Sequence, residues 1–137
     1  MAKFDVVHGV QLFSENTGTI NNLWGIYVVA TFAAAGFGAS SESISIGTAI
    51  VVTVGFWAFA LGHLRLLVQA LNLNRRLAAD IMGVLREGHA DDAGPFKPSI
   101  QYLARTANPP WISIAIHLLI DGCATAAMWS GTALLAE

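Results

Sequence analysis

The feature that most limits how this sequence can fold is a set of long stretches without Asp, Glu, Lys or Arg. Residues 16–41 and 43–64 carry none of these residues, and residues 111–136 carry only Asp121. A helix needs about 20 mostly apolar residues to cross a hydrocarbon layer of about 30 Å. The sequence therefore predicts three transmembrane helices.

The composition supports this interpretation. Of the 137 residues, 12% are charged and 55% are hydrophobic, whereas soluble domains carry about 25% charged residues. A strand interpretation fails because lipid-exposed strands must close into a barrel, for which the chain has too few segments. We expect an all-α integral membrane protein in which residues 1–137 form a single transmembrane domain. The predicted spans are residues 21–40, 44–65 and 110–136.

Several classes of function are disfavoured by what the sequence contains. The formal net charge of −2 argues against a nucleic-acid partner, which would require a basic surface. The single Cys allows no disulfide framework within the chain and no Cys-based zinc motif. The sequence has no Gly-rich phosphate loop, GxSxG elbow or HExxH motif, so we expect no catalytic activity of its own.

Segments outside the spans also show helical patterns. Residues 4–14 predict a short amphipathic segment at the membrane interface, ended by a break at residues 14–18. After the second span, apolar residues recur at helical spacing and predict that the helix continues to about Glu87. Residues 88–108 are predicted to form a connector, with a short helix at residues 99–106.

The basic residues predict an orientation. Most of them lie between the second and third spans, and the turn after the first span has none. The positive-inside rule therefore predicts a cytoplasmic N-terminus, a cytoplasmic helical loop and a C-terminus on the far side of a bacterial-type inner membrane. The loop either lies on anionic lipid or packs against a neighbouring subunit. The predicted cytoplasmic interface consists of Arg65, Arg75, Arg76 and Arg86.

Asp121 is the one formally charged residue well inside a predicted span. An ionisable side chain there costs at least about 2.5 kcal/mol, which makes it a candidate functional residue. It lies about 15 Å along the helix from Trp111, close to the bilayer midplane. Polar residues recur on the same helix face at steps near four. The predicted polar stripe consists of Ser113, His117, Asp121, Thr125 and Thr132.

Three interpretations of this stripe stay open. In the first, the third helix lines a polar path in an oligomer and acts as a pore, an ion-conducting unit or a proton relay. In the second, His63 and His117 bind haem b or a metal ion, since neutral imidazole is a common ligand. In the third, His117 and Asp121 only hold helices together in a small accessory or assembly subunit of a larger membrane complex.

Small residues predict that the chain assembles. They recur on all three spans, where they allow helix backbones to come into contact. A three-helix chain has little interior in which to bury Asp121, so we expect a homo-oligomer or a subunit of a hetero-oligomeric complex. The predicted packing glycines are Gly36, Gly47, Gly55, Gly62 and Gly122.

Overall fold

The computed structural model describes residues 6–40, 44–86, 96–130 and 132. Apart from an isolated bridge between Ile44 and Thr132, the regular structure of these residues is helical, which confirms the all-α prediction. Four helices follow each other along the chain: α1 (Val6–Ser40), α2 (Ile46–Arg86), α3 (Lys97–Arg105) and α4 (Pro110–Trp129).

Three of these helices, α1, α2 and α4, are long and apolar enough to cross a membrane. Their exposed positions carry large hydrophobic side chains, including Val29, Phe32 and Val51, each more than 70% exposed. Apolar side chains on the outside of a helix suit lipid better than water. The chain is therefore an integral membrane protein with three candidate spans.

Helix α1 is longer than the sequence pattern predicts. It runs unbroken through residues 14–18, where a break is expected, and so joins the predicted interfacial segment to the first span. The hydroxyl of Thr17 donates to Phe13 O at 2.8 Å and that of Thr19 donates to Glu15 O at 3.2 Å. These bonds satisfy the polar side chains within the helix, so they do not interrupt it.

The boundaries of the remaining helices lie within two residues of the expected ones, except that α4 ends at Trp129 and the predicted third span ends at residue 136. Helix α2 continues past the second span to Arg86, and α3 covers Lys97–Arg105. Helix α4 begins at Pro110, because proline has no N–H to leave unpaired at the first helical position. Residue 87, residues 88–95 of the connector, and residues 131 and 133–136 of the predicted third span lie outside the described residues.

The chain divides into two compact units, and each boundary falls inside a continuous helix. Unit 1 comprises Met1–Asn22 and Leu67–Ile112, and unit 2 comprises Leu23–Leu66 and Ser113–Glu137. Nothing in the hydrophobic pattern marks these boundaries, and the single transmembrane domain stays a prediction. The buried core of unit 1 consists of Val6, Phe13, Ala78, Ile81, Leu85 and Ala104.

A polar cluster also joins α1 to α2 inside unit 1. The Asn16 amide donates to Ala70 O at 2.8 Å and to Asn74 Oδ1 at 3.2 Å. Asn74 in turn donates to Thr17 Oγ1 at 3.3 Å.

The four arginines of the predicted cytoplasmic interface are exposed, and their lipid or protein partner stays a prediction.

In unit 2, α1 and α4 come into backbone contact at Gly38. A Cβ atom added there would overlap Met128 Cα and lie 2.8 Å from Ala127 O and Met128 C. The predicted packing glycines behave differently. A Cβ atom at Gly47 would meet only Ser45 Oγ, at 3.9 Å, and the other four would meet nothing within 4 Å. Contacts of these five glycines with another molecule stay a prediction.

Candidate functional site

Three helices of unit 2 bring four polar side chains together. Helix α1 supplies Tyr27, α2 supplies His63, and α4 supplies His117 and Asp121, which lie on one face because they are four residues apart. Tyr27 and His117 are 0% exposed, Asp121 is 1% exposed and His63 is 5% exposed. The site is therefore enclosed by the chain itself.

The four side chains form an unbroken line of hydrogen bonds. His63 Nε2 lies 2.9 Å from the backbone oxygen of Leu23, and His63 Nδ1 lies 3.3 Å from His117 Nε2. His117 Nδ1 lies 2.8 Å from Asp121 Oδ2. The Tyr27 hydroxyl lies 2.8 Å from Asp121 Oδ1 and 3.0 Å from the backbone oxygen of His117. We call this line the buried polar chain.

Aromatic rings cover the buried polar chain. The ring of Tyr27 stacks on His117 with centroids 3.8 Å apart and on His63 with centroids 5.4 Å apart. Phe59 stacks on the His63 ring at 5.6 Å, and Trp24 meets Tyr27 edge to face at 5.7 Å. These contacts fill the space around the imidazoles with apolar surface, which strengthens the hydrogen bonds between them.

The donor and acceptor partners of the buried polar chain determine where its hydrogens lie. A backbone carbonyl only accepts, so His63 Nε2 carries a hydrogen and donates to Leu23. One further hydrogen lies between the two imidazoles, and another lies between His117 and Asp121. A neutral cluster has only these three hydrogens. If one of them were on Asp121 Oδ1, either the His63–His117 bond or the His117–Asp121 bond would have no hydrogen, and two lone pairs would face each other. The Tyr27 hydroxyl therefore donates to the carboxyl group.

The two shared hydrogens have four possible placements, and three of them avoid an imidazolate at His117. His117 can hold both, which makes an imidazolium beside the Asp121 carboxylate. Asp121 can hold one, which makes both partners neutral. His63 can hold the hydrogen of the His–His bond, which moves the positive charge to that ring. Each of these three placements has one proton more than an Asp121 carboxylate beside two neutral imidazoles, and so avoids a buried net charge, which is costly. We call this proton the excess proton.

The rest of the predicted stripe is also buried or half-buried within unit 2. Ser113 is 9% exposed and Thr132 is 3% exposed. The hydroxyl of Thr125 donates to Asp121 O at 2.8 Å and accepts from Trp57 Nε1 at 3.0 Å. The structure therefore places Ser113, His117, Asp121 and Thr125 on the side of α4 that packs within the chain, whereas Thr132 lies beyond the end of α4 at Trp129.

This burial corrects one step of the sequence argument. The sequence suggests that Asp121 needs a second chain to leave contact with lipid. In the structure, Tyr27 and His117 satisfy both carboxyl oxygens within the single chain. Assembly is therefore not needed to bury Asp121, and the oligomeric state stays a prediction.

Sequence reasoning missed Tyr27 and the two tryptophan donors. Trp57 on α2 donates to Thr125 on α4, and Trp129 on α4 donates to Thr53 on α2 at 3.1 Å. The signal for this pair of bonds is a repeated Thr-x-x-x-Trp spacing in two antiparallel helices. Tyr27 gives no such signal, because tyrosine in a first span is equally typical of the membrane interface.

The two imidazoles also offer nitrogen atoms to a metal ion. His63 Nδ1 and His117 Nε2 face each other at 3.3 Å, and their other nitrogens are held by Leu23 O and Asp121. Bonds of about 2.0–2.1 Å at a tetrahedral metal would separate two such nitrogens by about 3.3–3.4 Å. Opposite faces of a haem iron would need about 4 Å. The described residues contain no group of three His, Cys, Asp or Glu to complete a site.

No protein-family model, curated protein or solved structure matches this chain. The fold and the site thus define it by class alone. It is an integral membrane protein with three candidate spans and a buried chain of one tyrosine, two histidines and one aspartate.

Proposed function

We propose that this protein is a proton-relay unit of the membrane, in which an excess proton moves among Asp121, His117 and His63. The observation that supports this proposal is the unbroken hydrogen bonding from Asp121 through both imidazoles to Leu23. Histidine and aspartate in series are typical of proton relays in membrane proteins. Each step needs only a shift of hydrogen along a bond that already exists.

The relay has two steps. In the first, the Asp121 Oδ2–H bond breaks and the His117 Nδ1–H bond forms, which leaves a carboxylate and an imidazolium. In the second, the His117 Nε2–H bond breaks and the His63 Nδ1–H bond forms, which moves the positive charge to His63. The cluster stays neutral during these two steps. Flux across the membrane requires in addition that a proton enters at Asp121 and that His63 releases one.

The packing favours a proton over a larger ion. Hydrogen bonds join Asp121 to Tyr27, Thr125 to Trp57 and His117 to His63. Within the described residues, these side chains do not face an open channel. A proton can pass along such a chain, whereas a metal cation would have to displace these side chains. The alternative, a purely structural role, is less favoured because a buried charge pair gives little net stability over apolar packing.

Asp121→Asn is the most informative variant for testing the relay. Its amide can donate to His117 Nδ1 and accept from Tyr27, so each hydrogen bond of the chain is retained in one orientation. The amide has no proton to release, however. This variant should therefore fold normally and fail to relay.

The test is proton flux into liposomes that contain the purified protein, followed with a pH-sensitive dye under an imposed pH gradient. We expect Asp121→Asn to reduce flux at least about tenfold, in line with the loss of a positioned proton carrier. Asp80→Asn is the matched control, since Asp80 is exposed on α2, and its flux should equal that of the wild type. Equal flux in Asp121→Asn and wild type would refute the relay.

We also propose how the relay is placed in the cell. The charge distribution puts the N-terminus and the α2–α4 connection on the cytoplasmic side of an inner membrane. The exposed small residues on all three spans support a homo-oligomer or a place in a larger membrane complex. Cross-linking in native membranes, followed by mass determination, tests both forms of assembly.

A second candidate function is an accessory subunit that binds a metal ion or haem through His63 and His117. It is favoured by one observation: both imidazoles have their outer nitrogens held by acceptors, as second-shell partners hold metal ligands. Elemental analysis and an absorption spectrum of the purified protein test this candidate. A bound metal or a haem band that is lost in His63→Gln would support it over the relay.

A further inference from the structure

Tyr27 occupies a specific position with respect to the relay. Its hydroxyl reaches Asp121 Oδ1, the carboxyl oxygen that does not face His117. Its ring stacks on both imidazoles. Tyr27 therefore touches every member of the relay but does not lie between any two of them.

We infer that Tyr27 is a positioning residue that sets where the excess proton rests: it holds Asp121 as a carboxylate and keeps the proton on the imidazoles. This inference rests on the proposed relay and assigns the resting position of its proton. The physical reason is that a hydrogen bond donated to a carboxylate is stronger than one donated to the neutral acid. The phenol thus favours the two placements in which Asp121 is ionised.

The alternative roles of Tyr27 do not account for this geometry. A tyrosine that only filled space would not need its hydroxyl within 2.8 Å of the carboxyl oxygen. A tyrosine that carried the proton onward would need a further acceptor able to titrate, but its second contact is the backbone oxygen of His117. The phenol is thus a terminal donor of the buried polar chain.

Removal of the hydroxyl gives a defined shift. In Tyr27→Phe, Asp121 Oδ1 loses its donor while Oδ2 keeps its bond with His117. The proton then moves from His117 Nδ1 to Asp121 Oδ2: the N–H bond breaks, the O–H bond forms, and both groups become neutral. A hydrogen bond to a charged group is strong enough to shift this equilibrium about 10- to 100-fold toward the protonated carboxyl group.

Infrared spectroscopy of the full-length protein in lipid bilayers tests the inference, with aspartate labelled with ¹³C. A protonated carboxyl group has a C=O stretching band that a carboxylate lacks. We expect no such band from Asp121 in the wild type and a clear band in Tyr27→Phe that is lost in Tyr27→Phe/Asp121→Asn. Phe59→Leu is the matched control, because Phe59 stacks on the His63 ring and has no polar atom to offer to Asp121. It should show no band.

Two results would overturn the inference. One is a protonated-carboxyl band from Asp121 in the wild type, and the other is the absence of that band in Tyr27→Phe. Proton flux in liposomes is measured on the same samples. If the band appears in Tyr27→Phe while Asp121→Asn keeps wild-type flux, Tyr27 positions the proton but the relay is refuted. If flux depends on Asp121 and the band does not appear, the relay stands and the role of Tyr27 is refuted.

Discussion

Gly38→Ala should disrupt the contact between α1 and α4 more than a Gly→Ala change at Gly36 or Gly122 on the same two helices. The added Cβ would overlap Met128 Cα and lie 2.8 Å from two further backbone atoms. Carbon atoms pack without repulsion at about 3.5–4.0 Å. The two helices must therefore separate by roughly 0.7 Å or more, because backbone atoms cannot rotate aside as a side chain can.

Overpacking of this kind costs about 1–3 kcal/mol. Gly36→Ala is the matched control on the same helix, since its Cβ would meet nothing within 4 Å. Replacing Gly by Ala in a helix is otherwise stabilising by about 0.5–1 kcal/mol. We expect the two variants to differ by at least about 1.5 kcal/mol in unfolding of the detergent-solubilised protein. If Gly38→Ala is as stable as Gly36→Ala, the described approach of α1 and α4 is wrong.

Three further changes test other contacts by the same unfolding assay. Asp121→Ala should destabilise the protein by about 3 kcal/mol, because it leaves a buried histidine without its carboxylate partner. Asp121→Asn should cost less than about 1 kcal/mol, because its amide replaces both hydrogen bonds. Equal losses of stability in the two variants would contradict the assigned hydrogen bonds. Trp57→Phe and Thr125→Val should show a coupling of about 0.6–1.7 kcal/mol in a double-mutant cycle. Trp57→Phe with Asn74→Ala, far along α2, should be additive. Asn74→Ala should cost about 1–2 kcal/mol, since it leaves the Asn16 cluster incomplete, while the exposed Asn72→Ala should stay within about 0.5 kcal/mol.

The helical class and the three candidate spans follow from the sequence because a long run without charge has few alternatives in a chain of this length. The same reasoning predicts a break at residues 14–18 that α1 does not have. Ser, Asn, Thr and Gly at residues 14–18 are typical of a break, but α1 continues through them. Their hydroxyls and amides bond to α1 and α2, and that tertiary packing cannot be read from local composition.

The site was predictable in part. Periodicity on the third span identified His117 and Asp121, and His63 stood out as a polar residue on the second span. The sequence pattern alone does not predict which residue on another helix contacts Asp121. That partner is Tyr27, whose position depends on the packing of α1 against α4 and therefore on Gly38, a contact that no spacing within one helix reveals.

The proposed relay depends most directly on a single hydrogen that the two buried imidazoles share. Nitrogen-15 NMR of histidine-labelled protein in bilayers measures this most directly, with resonances assigned by His63→Gln and by the exposed His8→Gln. We predict one hydrogen coupled to both His63 Nδ1 and His117 Nε2, with a second hydrogen on His63 Nε2. Two bare nitrogens facing each other, with no hydrogen between them, would contradict the relay.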